Sequence, residues 1–149
     1  MATSFEQYFA FLRELGQVLE QLTALTKEKT EAVHRDDLGA VNDCMKREQV
    51  ISLSLRSMDV KREKMLSELG LAGVPLSGLA ARCPAELRLE ARQVEEKLRN
   101  QLAIYRSAAN VARATLEISL HQIEKMMDEE GDRPASGGAV AGTVADIRA

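Results

Sequence analysis

The sequence predicts an all-α fold: an antiparallel helical hairpin followed by a long third helix, packed as a coiled-coil-like three-helix bundle. Three observations predict it. Charged residues make up 29% of the chain and aromatics 3% with no Trp, and Leu, Ala, Glu, Lys and Arg dominate, the composition of long helices. Only three prolines occur, Pro75, Pro84 and Pro134, so long uninterrupted helices are permitted where proline is absent. Apolar residues recur in steps of three and four along three long segments, which is the α-helical period.

The first helix is expected over about residues 4–33. Ser4 or Thr3 can cap it, and Glu6 or Gln7 can return a bond to the cap. Phe5, Leu12, Leu19 and Val33 form one column, Tyr8, Leu15 and Leu22 a second, and Phe11, Val18, Leu25 and Ala32 a third. Thr26 and Lys29 interrupt the first two columns, and Gly16 sits mid-helix at a cost of about 1 kcal/mol relative to Ala.

His34 to Leu38 reads as a turn in which Asp36 or Asp37 caps the next helix and opposes its positive end. A connection this short makes the first two helices antiparallel neighbours. The second helix is expected over about residues 37–69, with Val41, Cys44, Ile51, Leu55, Met58, Met65 and Leu69 on its seam. Glu48 and Arg62 fall on the same seam, so its stripe is thinner. Gly70 suits a left-handed stop, with Leu71 able to touch Leu66.

The connector to Cys83 holds Gly70, Gly73, Pro75 and Gly78, and within it Ser77 can cap a short helix through Leu79, Ala80 and Ala81. Pro84 suits the first turn of the third helix, where its missing N–H costs nothing. That helix is expected over residues 84–129, about 68 Å at 1.5 Å per residue, longer than either partner, so part of it projects beyond them or faces a gap. Residues 1–130 then form one helical domain. The remainder, 131–149, is rich in Gly and Ala with few large apolar groups, and is expected to be a flexible tail.

The net charge of −3 and pI near 5.5, with charges of mixed sign, give no reason to expect nucleic acid. Neither a signal peptide nor a membrane-spanning run is present in the pattern, so the expected location is cytoplasmic. Cys44 and Cys83 lack CxxC pairing, and no disulfide is expected in a reducing compartment. Cys44 lies on an apolar face as a small core residue, and Cys83 is expected nearer the surface. His34 and His121 have no metal-ligand spacing, and no nucleophile elbow or phosphate loop occurs. The chain is therefore expected to be no enzyme, to carry no metal or cofactor and to take no small-molecule substrate.

The third helix carries more apolar surface than one neighbour covers. One row runs through Leu98, Leu102, Tyr105, Ala109, Ala112, Leu116, Leu120, Ile123 and Met127, and a second beside it through Ile104, Ala108, Val111, Thr115 and Ile118, a stripe wider than the roughly 100° a core-facing helix needs. Leu98, Ile104, Tyr105, Ala108, Val111, Ala112, Thr115, Ile118 and Ile123 are the residues expected to bind a partner, with the second row at its centre. Small residues such as Ser107, Ala109 and Ala114 let another helix approach closely.

The organisation resembles the FlgN family of flagellar type III export chaperones from Phe5 to about Met127. The resemblance rests on the amphipathic first helix, the restart HRDDLGAVNDCMKREQVI with Lys46, Arg47 and Glu48, the stop LSELGL, and the last helix with RSAANVARATLEISLHQIEKMM. It implies a non-enzymatic protein that binds the C-terminal amphipathic helices of the hook–filament junction (hook-associated) proteins, chiefly through Leu98 to Met127. It also implies that the client is kept unassembled and delivered to the flagellar export gate. The last helix has its one tyrosine at Tyr105, mid-helix, so no tyrosine-based gate contact near the tail carries over. A FliT-like chaperone for the filament-cap protein shares the hairpin but has a shorter last helix. A coiled-coil scaffold that closes its extra stripe as a homodimer is the other alternative.

Overall fold

The computed structural model describes residues 3–129, and within them every regular element is a helix. The first helix, α1 (Phe5–His34), starts at Ser4, whose hydroxyl accepts from the Gln7 backbone N–H at 3.1 Å while the Gln7 side chain accepts from the Ser4 N–H at 2.9 Å. This reciprocal pair satisfies two donors that a helix start leaves orphaned. The turn is tight because Asp36 takes a left-handed conformation (φ 55°), and Asp37 then caps α2 (Leu38–Glu68) by accepting from Ala40 N–H at 3.0 Å.

The α2 helix ends as its sequence requires. Gly70 adopts φ 74°, Leu71 N–H donates to Leu66 carbonyl at 2.8 Å and Gly70 N–H to Ser67 carbonyl at 3.1 Å, and Leu66 and Leu71 are both buried. These bonds and the apolar contact define a Schellman stop. The connector continues through a 3-10 turn, Leu76–Gly78, into the short helix α3 (Leu79–Arg82). Ser77 does not cap it, contrary to expectation, since no side chain bonds to its start; Ser77 lies inside the preceding turn instead. Cys83 also departs from expectation: it is buried, and its thiol donates to Ala80 carbonyl at 3.4 Å. A second 3-10 turn, Ala85–Leu87, follows Pro84 and leads into α4 (Arg88–Glu129), a helix of 42 residues. The expected tail, 131–149, lies outside the described residues.

The central helix is α1, which packs on α4 and on α2. The α2 helix runs antiparallel to it and α4 runs parallel to it, up-down-up along the chain. Lys61 sits over the Phe11 ring near the start of α1, and Lys29 pairs with Glu48 near its end. On α4, Arg13 meets Glu90 at 2.7 Å, while Ala32 and Val33 cluster with Leu116. The main core joins Tyr8, Phe9, Leu12, Leu19 and Leu22 to Leu55, Met65 and Leu66 of α2, Leu79 and Cys83 of the connector, and Ala91, Val94, Leu98 and Tyr105 of α4. A smaller cluster of Ala32, Val33, Val41 and Leu116 closes the hairpin end.

Between the two apolar clusters lies a buried ion pair. Lys29 Nζ stands 2.7 Å from Glu48 Oε1, with the side chains 0% and 2% exposed, and Thr26 Oγ1, which donates to the Leu22 carbonyl at 2.8 Å, lies 3.4 Å from Glu48 Oε2. The polar residues that broke the columns of α1 thus face the polar residue that thinned the stripe of α2. Removing either charge alone would leave the other buried without a partner, which is costly.

Candidate functional site

Packing against α1 divides the apolar surface of α4 into two rows. Leu98, Tyr105 and Ala112 form the inner row and are buried. Their seven-residue spacing brings them repeatedly back to the α1 side of the helix. Burial pushes the Tyr105 phenol up to about 12, the Glu48 charge adding to that and Arg113 opposing it.

The outer row is open. Ile104, Val111 and Ile118 are 55%, 54% and 61% exposed, spaced by seven so that they run almost straight along the helix. Ala108 is buried and Thr115 half-buried; both lie on the side of that row turned toward the core. The row edges a shallow groove of about 400 Å³ between α4 and α1, lined by Ile104, Ser107, Ala108 and Val111 on one side and Lys27, Thr30 and Glu31 on the other. Small side chains at Ser107 and Ala108 make the floor, so a partner helix can approach the α4 backbone.

Beyond Leu116 no described residue of α4 is buried, and Ser119, Leu120 and Met127 are half-buried. Residues 117–129 extend about 20 Å past the last core contact at 1.5 Å per residue, and Ile123 and Met126 on this stretch are exposed. The expected projection of the third helix is therefore observed, and Ile123 lies on it rather than in the groove.

Of the nine residues expected to bind a partner, the structure places Ile104, Ala108 and Val111 at the groove and Thr115 and Ile118 on its continuation. It places Leu98, Tyr105 and Ala112 in the core, where they hold the outer row in position. The α1 side, Lys27, Thr30 and Glu31, was missed by sequence reasoning. Its signal is a polar set three and four residues apart, flanking the apolar columns of α1.

Among the described residues no group of three His, Cys, Asp or Glu side chains could hold a metal ion, and His34 and His121 are both exposed. The Cys44 thiol is pushed up by burial and then by the Glu28 charge, with Arg47 opposing, which disfavours the reactive thiolate. No described helix is long and apolar enough to cross a membrane.

These features define the class: an open-faced helical protein in which a hairpin supports one long helix with an uncovered apolar row. Residues 1–129 match the FlgN family, described as FlgN protein, and the chain belongs to that family. Membership implies the role of a flagellar export chaperone. No curated protein and no solved structure gives a match.

Proposed function

We propose that this chain binds the C-terminal amphipathic helices of hook–filament junction proteins along the outer row of α4. It keeps them from assembling prematurely and delivers them to the flagellar type III export gate. It works in the cytoplasm, catalyses no reaction and needs no cofactor. The observation that carries this reading is the uncovered row Ile104, Val111 and Ile118 beside a groove floored by small residues.

The mechanism is mutual burial. An amphipathic client helix laid in the groove sets its apolar face against the row, and both surfaces lose contact with water. Most of the gross gain is cancelled by the ordering and association costs of binding, so the complex stays reversible, as a carrier that must release its load requires.

A pull-down against the separate C-terminal segments of the junction proteins and of the filament-cap protein tests this. Capture of a junction segment is expected. Capture of the cap segment alone would move the assignment to the FliT-like reading, and capture of neither would remove the client assignment. Sedimentation over a wide concentration range addresses the homodimer: a tight dimer closed through Val111 and Ile118 would make the row a self-association seam.

A further inference from the structure

The opposite flank of α4 combines a cavity with a row of positive charge. Leu12, Leu15 and Leu19 of α1, Leu55 of α2 and Leu98 and Leu102 of α4 surround a cavity of about 160 Å³. Leu15 belongs to the inward column of α1 with Tyr8 and Leu22, yet it is only half-buried, because solvent reaches the middle of the three-helix interface here. Leu76 of the connector lines one side, and Asp59 and Arg62, 3.3 Å apart, line another.

Arg99 and Arg106 flank Leu102 at the preceding and following turns, which puts them beside this opening. They belong to a longer series, Arg88, Arg92, Arg99, Arg106 and Arg113, spaced by four, seven, seven and seven, so all five lie along one side of α4. All five are exposed. The chain has a net charge of −3, but from Arg88 to Arg113 the acidic neighbours of these five arginines are two, Glu95, which bonds Arg99, and Glu96, four residues after Arg92.

We propose that this flank is a second docking site, for an acidic amphipathic helix of a partner protein that inserts one large apolar side chain into the leucine cavity. The cavity volume selects the anchor. Small-molecule sites run from roughly 300 Å³ upward, whereas a leucine-lined cavity of about 150 Å³ holds a benzene-sized group, so the space suits a Leu, Met or Phe side chain. The arginine row selects the rest of the partner. Guanidinium groups pair with carboxylates in bidentate fashion, and carboxylates one heptad apart on a helix repeat at about the same 10 Å interval as Arg99, Arg106 and Arg113. The anchor gives the complex its register and the charges give it orientation and encounter rate. The outer row and the arginine row lie on different sides of α4, so this site does not depend on the client being seated at Val111.

The test uses the full chain and a designed helical peptide with leucine at every seventh position and glutamates flanking it. Controls are the same peptide with lysine for glutamate and with alanine for leucine. Fluorescence anisotropy is expected to show binding of the acidic leucine peptide that weakens with salt, and no binding of the lysine peptide. Arg99→Glu with Arg106→Glu should reduce affinity about tenfold or more, the alanine peptide should bind weakly, and Val111→Asp should leave binding unchanged. These substitutions are at exposed positions, and circular dichroism checks that the fold persists. Undiminished binding by the double arginine variant would overturn the proposal, as would equal binding of the alanine peptide or loss of binding in Val111→Asp. Tighter, arginine-dependent binding of a single-stranded oligonucleotide or of vesicles rich in phosphatidylglycerol would also overturn it, because the row would then be reading phosphate.

Discussion

Ile104 and Tyr105 are adjacent on α4, yet Ile104 is 55% exposed and Tyr105 is 3% exposed. The same contrast recurs one heptad later at Val111 and Ala112. Hydrophobicity does not separate the members of each pair; position relative to α1 does. A one-residue step rotates a side chain by about 100° around the helix, enough to move it from a packed seam to open solvent. The inner row therefore supports the fold, and the outer row is what the fold leaves available to another protein.

The contrast depends on α1 lying where it does, and the largest expected effect comes from disturbing what sets that position. Lys29→Met alone strands the Glu48 carboxylate and should cost about 3–5 kcal/mol, whereas Lys29→Met with Glu48→Met should recover most of that loss. Urea unfolding of the two variants measures it. A double variant as unstable as the single one would mean that this pair contributes net stability rather than pairing specificity.

Within α4, Leu98→Ala should cost about 2–5 kcal/mol by opening a cavity in the inner row. Val111→Asp or Ile118→Asp on the outer row should change stability by less than about 0.5 kcal/mol while abolishing capture of the junction-protein segment. Thermal melts set beside the pull-down give both readouts. Unfolding of the outer-row variants would show that row to be core and would remove the groove as a client site.

Much of this division was legible in the residues, and the remainder was not for a definite reason. Caps and stops depend on local bonds, so Gly70 with Leu71 could be read directly, while Ser4, Gln7 and Asp37 were each one of two residues the sequence offered and Ser77 was read as a cap that does not form. The two rows of α4 were visible as a stripe too wide for one neighbour. Where the cover ends was not visible, so that Leu98, Tyr105 and Ala112 were counted with the open second row although they are buried, because it depends on the rotation of α4 against α1, a long-range property. For the same reason Thr26, Lys29 and Glu48 read as three separate interruptions, although two facing seams broken at opposite charges are a signal of a buried pair. Cys83 looked exposed because the connector is rich in Gly and Pro, but Leu71, Leu79 and Ala80 fold that segment onto the core.

The inner row should also reveal itself at high pH. Tyr105 has its phenol raised to about 12 by burial, from a usual value near 10. Between those values the unfolded chain loses the proton and the folded chain keeps it, so stability is fully present below about pH 10 and falls as the pH rises toward 12. The loss attributable to Tyr105 is about 1 kcal/mol at pH 11. Tyr105→Phe should flatten that part of the decline in alkaline unfolding followed by circular dichroism. An unchanged slope would place the phenol in contact with water.

The smallest effect concerns how closely α4 approaches α1. Gly16 is buried mid-helix, and a Cβ there would lie 2.0 Å from Gln101 Oε1, whose side chain also donates to Glu20 Oε1 at 2.7 Å. The obstacle is the tip of a flexible side chain, not backbone. Gly16→Ala should therefore turn Gln101 aside and lose that exposed hydrogen bond, offsetting the gain in helix propensity and leaving stability within about 0.5 kcal/mol. With Gln101→Ala already in place, Gly16→Ala meets no obstacle and should stabilise the protein by about 0.5–1 kcal/mol. Destabilisation in that background would mean that the helices themselves require glycine at the crossing. The division of α4 into covered and open rows would then be set by backbone approach at Gly16 as well as by the buried pair.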